Sequence, residues 1–143
     1  MGITIESKNC SIDMGYGGFN NLRTKVAKLA ADDIGEHYNK LNDSVSIFGE
    51  EARKKFFDEY NKKIAELDKK YNYEMSEVLD FLYASDCDAE MSVDVCKKLY
   101  EVIKDYDDNV LYGYVGRADC AMFKDFKELV KDCIDNNCSM TWW

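Results

Sequence analysis

The sequence predicts a mostly helical α+β domain: four or five helices, with a small antiparallel sheet made from an N-terminal hairpin and a C-terminal strand. Three observations lead to this fold class. Apolar residues recur every three or four positions through most of the chain, which is typical of helices packed on one core. Short strand-like segments stand at both ends, at 3–6 and 139–143. At 143 residues without proline, the chain has the size of a single domain, residues 1–143.

The predicted sheet involves both ends of the chain. Ile3 and Ile5 alternate with Thr4 and Glu6, which is typical of a half-buried strand. A second short strand around 11–13 completes the hairpin. We expect the terminal strand to pair with this hairpin and to hold both chain ends in place.

The helices are predicted in order from the spacing of their apolar residues. A first helix follows the glycine-rich turn 13–19 and continues to residue 41, with a weak point at Gly35. The second, from Phe48 to Tyr71, is the clearest, and five of its acidic residues have a lysine four positions later, a spacing that stabilises a solvated helix. The others cover 75–82, 95–106 with Ser92 as N-cap, and 123–133.

Nearly all the net charge lies between Asn72 and Asn109. This stretch holds eleven acidic residues against three lysines, in a chain whose formal charge is −9. A localised negative surface repels nucleic acid phosphates and attracts cations or basic protein surfaces. We therefore predict no direct binding of nucleic acid. The favoured function is a non-catalytic protein-interaction module that contacts a basic partner through Asp80, Asp86, Asp88, Glu90, Asp94, Asp105, Asp107 and Asp108.

A divalent-metal site is the alternative function. Asp86, Asp88 and Glu90 stand at alternate positions between two predicted helices, as in the first half of an EF-hand loop. The second half does not fit, because Met91 stands where the turn needs glycine and Lys97 where a bidentate glutamate is required. An acidic, solvated connection between helices explains the same residues, and a divalent cation is the one cofactor that the pattern allows.

The glycine turn raises the question of an anion site or an enzyme. Gly17 and Gly18 open a helix whose free N–H groups would bind an anion, with Arg23 one turn further on. The spacing matches neither phosphate-loop nor dinucleotide-binding motifs. No nucleophile motif accompanies His37, the single histidine, which we expect at the surface or at a boundary. The sequence therefore does not indicate an enzyme.

Membrane and secreted classes are not predicted. No apolar run approaches the roughly 20 residues of a membrane span, and the first residues lack a signal-peptide pattern. The six cysteines include no Cys-x-x-Cys pair, so free thiols in a reducing cytoplasm are expected. The oligomeric state is left open.

The chain resembles small bacterial and prophage proteins that have no assigned activity. Two segments support this resemblance: the pattern SxDxGYGGFxxLR over 11–23, and Ser85–Asp88 followed by Cys96. The resemblance implies no catalytic role, and it makes inhibition of a host protein one specific form of the interaction function. Such proteins are expected to have glycine where this chain has Ala89, a difference that disfavours a tight ion-binding turn.

Overall fold

The computed structural model describes residues 2–106, 111–112 and 121–143. Within these residues it has six α-helices and a four-stranded antiparallel sheet, which confirms the mostly helical α+β class with slightly more helices than predicted. The strands are β1 (Gly2–Glu6), β2 (Ser11–Gly15), β3 (Ala89–Met91) and β4 (Met140–Trp142). The helices are α1 (Tyr16–Ala30), α2 (Asp32–Asn39), α3 (Glu50–Lys70), α4 (Ser76–Tyr83), α5 (Val93–Ile103) and α6 (Phe123–Asp135), with a 3₁₀ helix, Lys40–Ser46, between α2 and α3.

The sheet has the order β2-β1-β4-β3, with all pairs antiparallel. The predicted hairpin and its pairing with the C-terminal strand are both confirmed. Ile3 and Ile5 are buried on one face, and Ile5 lies opposite Trp142 of β4. Since β4 lies between β1 and β3, the end of the chain occupies the interior of the sheet.

Strand β3 was not expected from the sequence. Residues 84–91 were predicted as a connection between helices, but Ala89–Met91 pairs with β4, with Glu90 opposite Thr141 and Met91 opposite Met140. Alanine and glutamate have low strand propensity, so this pairing depends on the edge that β4 offers and on the burial of Met91. The second half of the acidic connection is therefore sheet.

The first predicted helix is divided at Ala31, four residues before the predicted weak point. Ala31 has extended backbone angles, φ −170° and ψ 151°, and α2 begins directly after it. Gly35 lies inside α2, where an added Cβ would stand 2.7 Å from Cγ of Lys28. Glycine at this position allows α2 to fold back closely on α1.

Helix α3 is largely exposed. Only Tyr60 and Leu67 are buried among its residues, and Phe48, predicted on its apolar face, lies before the helix and is 84% exposed. The ion pairs within the described part of the chain are Lys63–Glu66 and Lys70–Asp33, so none of the five predicted pairs at i, i+4 forms. Lys70 instead joins the end of α3 to α2.

Candidate functional site

The predicted partner-binding carboxylates are exposed wherever the structure describes them. Asp80 lies on α4, and Asp105 follows α5. Asp107 and Asp108 lie outside the described residues. The other four occupy the connection from α4 through β3 to the first turn of α5, and we call them the acidic turn: Asp86, Asp88, Glu90 and Asp94.

The acidic turn is held by hydrogen bonds to the core. Trp142 Nε1 donates to the carbonyl of Ser85 at 2.9 Å, and the Ser85 hydroxyl accepts the N–H of Cys87 at 3.1 Å. Ser92 caps α5 as predicted, because its hydroxyl accepts the N–H of Val95 at 3.4 Å. A fully buried tryptophan thus anchors one end of the acidic turn, and a helix cap fixes the other.

Among the residues that the structure describes, no basic side chain forms an ion pair with the acidic turn. Neither ion pair in the described residues involves an acid between 72 and 106. On α4, next to the acidic turn, the pKa of the Asp80 carboxyl is raised. Partial burial is the main cause, and repulsion from the nearby charges of Glu77 and Asp68 raises it further. Within the described part of the chain, the carboxylates of the acidic turn are therefore exposed to solvent and not paired with a cation.

The predicted acidic residues do not form one compact group. Asp94 and Asp105 are separated by the length of α5, and eleven residues of helix rise about 16 Å. Asp105 therefore lies at the end of α5 opposite to the acidic turn.

The structure does not assemble Asp86, Asp88 and Glu90 as metal ligands. Among the described residues, no group of three or more His, Cys, Asp or Glu side chains is placed to hold a metal ion. Glu90 belongs to β3, and Met91, at the predicted loop's sixth position, is buried in the sheet. A strand thus replaces the curled second half of a calcium loop, and the metal alternative has no supporting arrangement in this part of the chain.

The three residues of the predicted anion site, Gly17, Gly18 and Arg23, do not converge on one position where an anion could bind. Gly18 packs against the chain at Tyr112, since an added Cβ would stand 2.0 Å from that carbonyl oxygen, whereas Gly17 has open space around it. Arg23 is buried and directs Nη1 to the end of α4, donating to the carbonyl of Ala84 at 2.8 Å. Its guanidinium carbon also lies 4.4 Å from the centre of the ring of Phe19, the last residue of the glycine-rich turn, but none of the described contacts of Arg23 is with Gly17 or Gly18.

His37 is buried, so the prediction of a surface or boundary position is wrong. Its side chain is 3% exposed and stacks on the ring of Tyr60 at 4.0 Å between centroids. Nε2 lies 3.1 Å from the carbonyl of Tyr60, which only accepts, so Nε2 carries the proton. Nδ1 of the neutral ring then accepts from the hydroxyl of Tyr83 at 2.7 Å. One side chain thus joins α2, α3 and α4.

Burial should make stability depend on pH through His37. Burial is the main cause that lowers its pKa, and the charges of Lys40 and Lys63 lower it further. At a pH below the ordinary histidine pKa of about 6.5, His37 is protonated in the unfolded chain but still neutral in the folded chain. The free energy of unfolding therefore decreases as the pH is lowered, by at most about 1.4 kcal/mol per pH unit. Urea unfolding between pH 5 and 8 measures the free energy of unfolding of wild type and of His37→Gln. The difference between the two proteins should change with pH. Parallel curves would contradict it.

The sequence reasoning did not single out Tyr60 and Tyr83. Tyr60 was assigned only to the apolar face of α3, although a buried tyrosine hydroxyl usually needs a polar partner. Tyrosine within an apolar helical stripe was the available signal. Its partners lie on other helices, so periodicity within α3 alone did not indicate them.

Comparisons with known proteins do not assign this chain to a family. Scans against protein-family models, curated proteins and solved structures each found no match. The resemblance to bacterial and prophage proteins therefore stays a prediction from the sequence. Among the described helices, none is both long and apolar enough to cross a membrane.

Proposed function

We propose that this chain is a non-catalytic protein-interaction module that binds a basic surface of another protein through the acidic turn. The observation that carries the proposal is the exposure of Asp86, Asp88, Glu90 and Asp94, with no basic side chain of the described residues within ion-pair distance. Complementary charge across an interface steers association and selects partners.

The anchoring of the acidic turn supports the same function. Its backbone is tied to Trp142 through Ser85 and to α5 through the Ser92 cap. A surface that is held in place before binding has less conformational entropy to lose when a partner docks. The resemblance to prophage proteins makes a host protein the first partner class to screen, and the proposal places the chain in the cytoplasm.

Neutralisation of the acidic turn should weaken the interaction. We expect Asp86→Asn, Asp88→Asn, Glu90→Gln to lower affinity by about threefold to a hundredfold, because each exposed ion pair contributes about 0.2–1 kcal/mol. Proteins captured from native cytosol would be identified by mass spectrometry, then purified and titrated at low and high salt. Affinity should fall with salt, since exposed charges are screened beyond about 8 Å at physiological ionic strength.

A matched control separates local charge from net charge. Asp43→Asn, Asp58→Asn, Glu59→Gln removes three exposed charges elsewhere and gives the same net charge as the first variant. The control should bind the partner as wild type does. Equal losses in the two triple variants, or binding insensitive to salt, would contradict an interface at the acidic turn.

A further inference from the structure

Three of the cysteines that the structure describes lie together near the end of α6. Cys96 on α5 and Cys133 on α6 are fully buried, and Cys138, which follows α6, is half-buried. The Cys133 thiol is hydrogen-bonded to the side chains of both Cys96 and Cys138. All three are free thiols, and none of them belongs to the acidic turn. Adjacent thiols can be joined by oxidation, so geometry and access decide which two of the three can pair.

The turn at the end of α6 sets Cys133 beside Cys138. The N–H of Cys138 donates to the carbonyl of Cys133 at 3.0 Å, and the N–H of Asn137 donates to the carbonyl of Ile134 at 3.3 Å. Asn137 has φ 50°, so these bonds form the Schellman motif, in which the two residues joined by the longer-range bond commonly touch. Adding the Cα–O and N–Cα separations of standard backbone geometry to the first bond keeps the two Cα atoms within about 7 Å. Cysteines can be bridged at Cα separations below about 7 Å.

Solvent reaches this pair through Cys138. Cys96 and Cys133 are both 0% exposed, so Cys138 is the thiol of the three that a small molecule meets first. Burial raises the pKa of the Cys138 thiol. Since the thiolate is the attacking form, exchange is slow at neutral pH, and the position of the equilibrium is the better measure. The Cys133 thiol, which contacts Cys138, is then in place to displace a group bound to the Cys138 sulfur.

We propose that Cys133 and Cys138 are a dithiol site that a small disulfide, such as oxidised glutathione, converts reversibly to an intramolecular disulfide. The Cys138 thiolate attacks one sulfur of oxidised glutathione, whose S–S bond breaks and releases one glutathione thiolate. Cys133 then attacks Sγ of Cys138 and releases the second glutathione. The two cysteines together lose two electrons and two protons, and one glutathione disulfide becomes two thiols. An excess of reduced glutathione drives the same steps backwards. The site does not depend on the interaction proposed for the acidic turn.

The test exposes the native full chain to an excess of oxidised over reduced glutathione at about pH 8 until the composition is constant. Acid stops the exchange, free thiols are alkylated with N-ethylmaleimide in denaturant, and the chain is cut with trypsin. Cleavage after Lys131 gives the peptide 132–143, which contains Cys133, Cys138 and no other cysteine. Mass spectrometry should find this peptide without maleimide or glutathione, and lighter than the reduced peptide by two hydrogen atoms. Any other dominant form, such as two maleimide adducts or a cross-link through Cys96, would overturn the proposal.

A comparison of the native and the unfolded full chain tests the turn itself. The same glutathione mixtures are applied with and without urea, and the ratio of disulfide to reduced peptide 132–143 is measured in each. Because the Schellman motif holds the two thiols together before they react, this ratio should be at least about tenfold higher in the native chain. An equal or lower ratio in the native chain would overturn the proposal.

Two alanine variants test the order of the steps. In Cys133→Ala, the native chain should retain one glutathione on Cys138, because the thiol that displaces it is gone. In Cys138→Ala, the buried Cys133 should stay free. The control is Cys87→Ala, which removes an exposed thiol elsewhere and should leave the disulfide in peptide 132–143 unchanged. Melting temperatures show whether each variant is folded, and the wild-type peptide decides the proposal if one is not. Glutathione on Cys133 in folded Cys138→Ala, or a fully reduced Cys138 in folded Cys133→Ala, would overturn the proposed exchange.

Discussion

Replacing Trp142 by alanine is expected to lower the free energy of unfolding by about 3–5 kcal/mol. The side chain is 1% exposed and packs edge-on against Phe19 and Phe81, at 5.2 and 5.8 Å between ring centres. Its Nε1–H also holds the carbonyl of Ser85. The change would leave a large cavity beside an interior strand, and the Ser85 carbonyl would lose its partner.

The neighbouring Trp143 is the matched control for this experiment. Its side chain is 57% exposed, and its backbone bonds to Thr4 do not need the indole. Trp143→Ala should therefore change stability by no more than about 0.5 kcal/mol. Guanidinium unfolding followed by circular dichroism measures both variants. Because the chain has two tryptophans, Trp143→Ala also leaves Trp142 as the single reporter, and its emission should be that of a buried indole. Similar losses in the two variants would contradict the placement of β4.

Alanine at Gly17 and at Gly18 should have opposite effects on stability. Both residues lie in the first turn of α1, where alanine is normally favoured over glycine by about 0.5–1 kcal/mol. A Cβ at Gly17 meets nothing within 4 Å, so Gly17→Ala should stabilise the chain by up to that amount. A Cβ at Gly18 would stand 2.0 Å from the carbonyl oxygen of Tyr112. Overpacking of this kind costs about 1–3 kcal/mol.

Thermal and urea unfolding of the two glycine variants would decide this point. The pair differs by one position and carries the same chemical change, so helix propensity alone predicts stabilisation in both. Destabilisation confined to Gly18→Ala would show that Gly18 serves close packing against Tyr112. Stabilisation in both variants would mean that the segment at Tyr112 does not lie against α1.

The spacing of apolar residues predicted the helices and strands that turn one apolar face to the core. Alternation at Ile3 and Ile5 indicated β1, and apolar residues at helical spacing indicated α3, α4, α5 and α6. The Ser92 cap was predictable too, because it depends on a hydroxyl three residues before the N–H that it accepts. These features depend on residues that are close together in the sequence, so the local sequence pattern was enough to predict them.

The candidate site was predictable in composition and not in geometry. The exposure of Asp80, Asp86, Asp88 and Glu90 agrees with what their charge predicts, since unpaired carboxylates are seldom buried. Their division into an acidic turn and a distant Asp105 depends on the length of α5 and on the pairing of β3 with β4. Spacing along the chain did not reveal that separation.

The sequence by itself determined the mostly helical α+β class, the two terminal strands and the localised negative charge. Tertiary structure decided the break at Ala31, the strand at Ala89–Met91, the burial of His37 and the direction of Arg23. Each of these depends on partners far away in sequence, such as β4 for β3 and the end of α4 for Arg23. Local propensity is worth less than about 1 kcal/mol per residue, so burial and pairing with distant groups overrode it at these positions.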